Sequence, residues 1–284
     1  MNPYPAEVWL NGQWLPHKEA LVSVFDRGFL FGDGIYEVIP FYRRRPFTLN
    51  EHLHRLQDGL NAVSINYRVD SLRQIIVEAI DRANLMDGIT YIQVTRGVAP
   101  RKHRFPSDAQ PTVLLYTTGY DFAGFETTVA EVVLVEDFRW HRCNIKSVSL
   151  MANVLANQYA VETGMTETIL CRDGVVTEGS HTSVFFVRDG SLFTHPEGPR
   201  ILPGITRRIV LELARKLEIE VREEAIRVDE INRVSESFLT GTTTQLTAIG
   251  TILNAAGDRF QLGKTAGPVT RRLQQAFIEL VDRS

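Results

Sequence analysis

Covalent amine chemistry needs a lysine held among apolar neighbours, and this chain offers few, since only five of its 31 Lys and Arg residues are lysines. Lys18 follows Pro16-His17 in a polar turn, Lys102 lies among other cations, Lys216 belongs to an amphipathic stretch and Lys264 to a glycine-rich loop. Those four read as exposed. Lys146, in Cys143-Asn144-Ile145-Lys146-Ser147-Val148, stands between apolar residues just before a helix expected from Asn153. Loss of hydration there favours the neutral amine and hence Schiff-base chemistry. Alone, the segment reads better as a surface lysine on a strand edge.

Other signals of chemistry fail on spacing. Gly263-Lys264-Thr265 resembles the end of a phosphate-cradling loop, but Gly257 lies one residue too far upstream. Gly32-Asp33-Gly34 has Glu37 where a dinucleotide fingerprint needs its third glycine, and reads as a turn. His52 and His54 fall two apart on an expected helix, about 200° from one another. They read as solvated or capping histidines, and no metal site is expected. There is no Gly-x-Ser-x-Gly elbow and no His-Glu-x-x-His, which argues against a serine hydrolase or zinc peptidase. Cys143 and Cys171 are too few for a disulfide framework and are expected to be reduced, partly buried thiols.

The elements that must carry these residues are marked by turns and periodicity. Asn11-Gly12 joins Val8–Leu10 to Gln13–Leu15 as a type I′ hairpin, and Asp173-Gly174 and Asp189-Gly190 do the same for residues 168–177 and 184–193. Further β-rich runs cover 35–42, 90–95, 112–117, 129–135 and 237–239. Helical periodicity covers 51–63 after Asn50, 72–83 after Ser71, 154–163 after Asn153, 206–217 and 269–281. Several hairpins without regular β-α-β alternation predict an α+β protein. Gly119 to Gly124 is the expected linker, dividing the chain into a smaller domain, 1–119, and a larger one, 120–284, that carries Lys146.

The chain of 284 residues is 44% hydrophobic and 23% charged, with a net charge of −3. Neither sign collects in a tail, and Arg43-Arg44-Arg45 and Arg101-Lys102-His103-Arg104 are too short to form a nucleic-acid surface. The N-terminus lacks a basic and then apolar leader, and no later run approaches membrane-spanning length. A cytoplasmic protein without nucleic-acid or membrane partners is expected.

Four segments change the reading of Lys146 when taken together: Trp140-His141-Arg142-Cys143-Asn144-Ile145-Lys146-Ser147, Thr177-Glu178-Gly179-Ser180, Leu202-Pro203-Gly204-Ile205-Thr206-Arg207 and Thr240-Gly241-Thr242-Thr243-Thr244. Their order and spacing resemble the fold-type IV pyridoxal-phosphate enzymes, which include D-amino-acid and branched-chain aminotransferases and aminodeoxychorismate lyases. The similarity runs from about Val8 to Phe277. It implies a two-domain α+β fold, pyridoxal 5′-phosphate bound between the domains, and a homodimer. In the family the lysine matching Lys146 forms the Schiff base, and the glutamate matching Glu178 contacts the pyridine nitrogen. An ionised carboxylate there favours the protonated ring, the better electron sink. The resemblance also implies a phosphate site at Arg55, Ile205, Thr206, Thr242 and Thr243. Thr206 opens an expected helix whose free N–H groups suit an anion, and Arg55 adds charged donors. Without the resemblance, Glu178 reads as a turn carboxylate, Thr206 as a plain N-cap and Arg55 as a solvated helix residue.

Within the family, Pro100-Arg101-Lys102-His103-Arg104-Phe105-Pro106 resembles the Pro-Arg-x-His-x-Phe-Pro pattern of bacterial D-amino-acid aminotransferases. There the arginine and histidine, with a tyrosine matching Tyr36, bind the substrate α-carboxylate. Positions 101 and 103 of an extended loop project to the same side and can meet one anion. Two departures stand out. Ser183 replaces an asparagine that many relatives carry, and residues 267–277 look more like branched-chain aminotransferases. The implied activity is amino transfer between a D-amino acid, of the D-alanine or D-glutamate type, and a 2-oxo acid. The alternatives are a branched-chain L-amino-acid aminotransferase and a catalytically silent cofactor-binding protein, the latter weakened by retention of both Lys146 and Glu178.

Overall fold

The computed structural model describes residues 4–254 and 256–284. They form two compact units. One comprises the described residues up to Asp121 with Ile145–Leu150 and Ser284, the other Phe122–Asn144 with Met151–Arg283.

The first unit contains β1 (Glu7–Leu10), β2 (Gln13–Pro16), α1 (Arg27–Phe31), β3 (Gly34–Tyr42), β4 (Arg45–Pro46), α2 (Leu49–Ala62), α3 (Leu72–Ala83), β5 (Gly88–Thr95) and β6 (Thr112–Gly119). Its six strands run in the order β2-β1-β6-β5-β3-β4, every pair antiparallel. Asn11 and Gly12 take the positive φ angles that the first hairpin requires, 49° and 94°. Along β3 the side chains of Ile35, Glu37, Ile39 and Phe41 are buried, in a core that also holds Leu53, Leu56 and Leu60 of α2 and Ile76 and Ile80 of α3. Each such aliphatic contributes about 2 kcal/mol by leaving water. Tyr36 and Val38 alternate onto the opposite face.

Lys146 belongs to this unit, not to the sequence-order C-terminal domain expected to carry it. Its segment lies along the edge of β3: the Tyr36 N–H donates to the Lys146 carbonyl at 3.0 Å, the Val148 N–H donates to the Gly34 carbonyl at 3.0 Å, and Ser147 bridges Ile35. Unpaired strand-edge backbone explains the attachment, because β4 reaches only Phe41 and Tyr42 of β3.

The second unit contains β7 (Val129–Glu136), α4 (Met151–Glu162), β8 (Glu167–Arg172), β9 (Val175–Gly179), β10 (Ser183–Arg188), β11 (Ser191–Phe193), α5 (Ile205–Lys216), β12 (Val221–Arg222), β13 (Glu236–Gly241), β14 (Gln245–Leu253), β15 (Arg259–Gln261) and α6 (Pro268–Arg283). Its sheet has the order β12-β11-β10-β13-β14-β7-β8-β9, with β15 paired to β14. The β14/β7, β7/β8 and β11/β12 pairs are parallel, so the sheet is mixed. Asp173 and Gly174, and Asp189 and Gly190, have positive φ and turn the two expected hairpins. α4 starts at Met151, and Asn153 does not cap it. Its Nδ2 donates instead to the Ser180 carbonyl at 2.6 Å. No described helix is long and apolar enough to cross a membrane.

Candidate active site

Tyr36 and Lys146 meet in the first unit, where the lysine Nζ lies 4.3 Å from the ring centroid. Lys146 is half-buried and has no hydrogen bond or ion pair to any described side chain. The Tyr36 ring stacks on Tyr91, and Tyr91 on Tyr116, with centroids 5.8 and 5.0 Å apart. Burial raises both the Tyr91 and the Tyr116 phenols, so they stay neutral.

Arg55 on α2 forms a fork onto Glu37, Nε to Oε1 at 2.7 Å and Nη2 to Oε2 at 2.9 Å, while His52 Nδ1 lies 2.8 Å from the same carboxylate. Burial would raise the Glu37 carboxyl, but the Arg55 charge and the His52 hydrogen bond outweigh it and hold it well below the ordinary value. Burial lowers His52, against the pull of Glu37. The expectation of a solvated or capping His52 is therefore corrected: the side chain is 2% exposed, because its helix position faces the buried Glu37. His54 is exposed as expected, 3.4 Å from Asp58.

Arg101 and His103 also lie in the first unit, on an exposed loop, and they share a platform. The Arg101 Cζ is 5.1 Å and the His103 ring 5.6 Å from the centroid of Phe31. Neither has a hydrogen bond or ion pair within the described chain, and neither makes a hydrogen bond or ring contact with Tyr36.

The second unit holds Glu178, Ile205, Thr206, Thr242 and Thr243. Glu178, near the end of β9, accepts from Arg139 Nη1 at 2.6 Å and from the Leu202 N–H at 3.0 and 3.1 Å. Asp137 grips Arg139 from behind at 2.9 and 3.0 Å and takes the Thr177 hydroxyl at 3.1 Å. Burial pushes the Glu178 carboxyl up to about 7, with Arg139 and the Leu202 N–H offsetting only part of that penalty. Its Oε2 accepts only the N–H it shares with Oε1, which leaves it acceptor capacity for a further donor. The turn after Glu178 is fixed by buried Glu167, which accepts from the Ser180 hydroxyl at 2.5 Å and the Thr182 hydroxyl at 3.1 Å and lies 2.9 Å from His181 Nδ1.

Three further steps bring the remaining residues of this unit to one corner of the sheet. Leu202, which touches Glu178, leads into Gly204, the N-cap of α5, where no side chain caps the helix. Open N–H groups at such a terminus suit an anion. A Cβ on Gly204 would stand 2.8 Å from Ser183 Oγ, and Ser183 pairs with Thr240, which runs into Thr242 and Thr243. Gln245 steadies that turn by donating to the Thr242 carbonyl at 2.6 Å. Sequence reasoning missed Glu37, Arg139, Asp137 and Phe31. Glu37 did leave a signal, a charge at a core position of the β3 alternation. The others gave none that spacing could isolate.

Comparison with known proteins adds an independent line. The sequence model of the family described as amino-transferase class IV matches residues 34–252. A D-alanine aminotransferase of Staphylococcus aureus is 38% identical over 281 residues, covering 97% of this chain and 98% of that protein. One of Bacillus licheniformis is 37% identical over 275 residues, covering 95% of each. Among solved structures, the branched-chain amino acid aminotransferase of Escherichia coli superimposes with a TM-score of 0.87 at 26% identity, covering 98% of this chain and 94% of that one. That of Thermobaculum terrenum, solved in its PLP form, gives 0.86 at 25% identity with the same coverage. The matched residues include Lys146, Glu178 and the uncapped turn at Gly204, and the chain belongs to the class IV amino-transferase family.

Proposed function

We propose that the chain is a pyridoxal 5′-phosphate-dependent aminotransferase that moves an amino group between a D-amino acid, of the D-alanine or D-glutamate type, and a 2-oxo acid. The observation that carries the D-amino-acid reading is the Arg101–His103 pair on Phe31, two cationic or donor groups left without a protein anion in a chain 37–38% identical to D-alanine aminotransferases.

The cofactor fits the residues present. Glu178 is a buried carboxyl with acceptor capacity for one more donor, the α5 terminus is uncapped, and Lys146 is an amine with no acid beside it. When bound, pyridoxal phosphate supplies an aldehyde for amines and a ring that takes up electrons released at the substrate Cα. The protein does the rest. Lys146 would hold the cofactor through its amine, releasing water from the aldehyde, and would carry the proton to and from Cα. Glu178 would accept the ring N–H and keep that nitrogen protonated. Ile205 and Thr206 at the α5 terminus, Thr242, Thr243 and Arg55 would hold the phosphate, while Glu37 with His52 fixes the Arg55 fork.

Tyr36, Arg101 and His103 hold the α-carboxylate in this reading. With the base on one face and the carboxylate fixed, exchanging enantiomers exchanges hydrogen and side chain, so only one hand presents its Cα–H to Lys146. A homodimer in the cytoplasm completes the proposal. Support for the dimer comes from apolar side chains open to water, among them Leu21 at 83% and Phe29 at 76% exposure.

The test is initial rate with D-alanine, L-alanine and L-leucine at equal concentration, 2-oxoglutarate as acceptor, for the native enzyme and Arg101→Ala. D-alanine is expected to be fastest, and Arg101→Ala to lose about 2–5 kcal/mol in kcat/KM through its charged contact. Faster turnover of L-leucine would replace this reading with the branched-chain one that the solved relatives represent.

A further inference from the structure

The Gly32-Asp33-Gly34 turn places a carboxylate at the end of α1. Gly32 closes α1 in the left-handed region, φ 66°, and turns the Asp33 carboxylate between two buried arginines. Arg27 Nε donates to Asp33 Oδ2 at 2.7 Å, and Arg96 donates to both oxygens at 2.8 and 3.0 Å. Each arginine then holds a different point of the loop that carries Arg101 and His103. Arg27 Nη1 donates to the carbonyl of Lys102, the residue between them, at 2.6 Å. The Arg96 guanidinium lies 3.6 Å from the ring centroid of Phe105. Phe31, at the end of α1, receives Arg27 at 4.7 Å as well as Arg101 and His103. The loop base is pinned by the Ala99 N–H to the Phe25 carbonyl and the Arg27 N–H to the Gly97 carbonyl.

We infer that Arg27, Phe31, Asp33 and Arg96 are positioning residues for the substrate carboxylate, holding the 97–106 loop so that Arg101 and His103 present their donors side by side to one anion. The inference rests on the reading of Arg101 and His103 as the carboxylate trap. Its physical content is that an exposed loop without regular structure cannot by itself keep two long side chains convergent. Arg96 anchors the loop from below through two backbone carbonyls as well, those of Val63 and Ser64. Rigid supporting shells of this kind keep binding groups in geometry, and a displacement of about 1 Å costs on the order of a hundredfold in rate.

The experiment compares D-alanine with D-alaninol, which has the same carbon skeleton and no carboxylate, by single-turnover bleaching of the bound cofactor's visible absorbance. Phe31→Leu and Arg27→Met should lower the D-alanine rate on the order of ten- to a hundredfold, leave D-alaninol within about threefold, and collapse the ratio of the two. Phe31→Tyr keeps the ring and should retain the native ratio. Amide hydrogen exchange at Ala99 and Lys102 of the holoenzyme, which does not depend on turnover, should accelerate in Arg27→Met. A native ratio in Phe31→Leu and Arg27→Met beside a collapsed one in Arg101→Ala would overturn the positioning role and leave the trap standing. Equal loss on both substrates, or unchanged exchange in Arg27→Met, would likewise reduce the network to fold support. A native ratio in Arg101→Ala itself would sink the carboxylate reading, and this inference with it.

Discussion

Lys146 has the Tyr36 ring at 4.3 Å and no acid beside it, and an amine so placed is open to a carbonyl partner. Lys146→Ala is expected to retain phosphate-held cofactor but lose the visible absorbance of the lysine adduct, with turnover reduced by several orders of magnitude. Turnover near the native value would reject the assignment. Glu178 makes a pH prediction. Its carboxyl is raised from 4.5 to about 7, so between those values the folded, cofactor-free protein binds more protons than the unfolded chain. Stability from this group is therefore full below about pH 4.5 and falls as pH rises to about 7, by on the order of 3 kcal/mol. Urea unfolding of the cofactor-free protein at pH 5 and pH 7 should show about 2 kcal/mol of that loss in the native sequence and much less of it in Glu178→Gln. Equal slopes would show that Glu178 is ionised throughout.

At the scale of elements, the loop that presents Arg101 leaves β5 through Gly97, whose φ is 93° and whose absent Cβ would collide with the Gln110 carbonyl. Gly97→Ala should destabilise the protein by about 2 kcal/mol or more, through backbone strain and the clash, and raise KM for D-alanine more than it lowers kcat. A melting temperature and KM both unchanged would contradict this. The same loop shows what sequence could and could not supply. Its Pro-Arg-x-His-x-Phe-Pro spacing was legible, because a motif is local, whereas the five-residue α1 beneath it was not, being too short to show a period. Hairpins with Asn-Gly or Asp-Gly turns were legible for the reason that only such residues take positive φ cheaply. β14 was not, since it is buried along nearly its whole length and offers no alternation to read. Arg55 was found through the resemblance, but its hold on Glu37 was not, since the two lie 18 residues apart on a helix and a strand and meet only through packing.

For the whole molecule, Cys143 and Cys171 report on global opening. Both are buried, burial raises the Cys143 thiol, and burial pushes the Cys171 thiol up to about 12. An aromatic disulfide reagent at pH 8 should label neither in the native protein and both in urea, with labelling tracking unfolding. Rapid native labelling of Cys171 would mean that the β8 region opens locally. Light scattering should give about twice the 32.1 kDa chain mass if apolar side chains such as Leu21 and Phe29 are covered by a second copy. The placement of Ile145–Leu150 on the edge of β3 also bears on biosynthesis. A ribosome delivers residues up to Asp121 first, then 23 residues that belong to the other unit, and only afterwards the segment whose Lys146 carbonyl receives the Tyr36 N–H. Until residue 150 has emerged, that strand edge is open to any passing strand, so nascent chains stalled before it are the ones most prone to pair edge to edge and to call on chaperones.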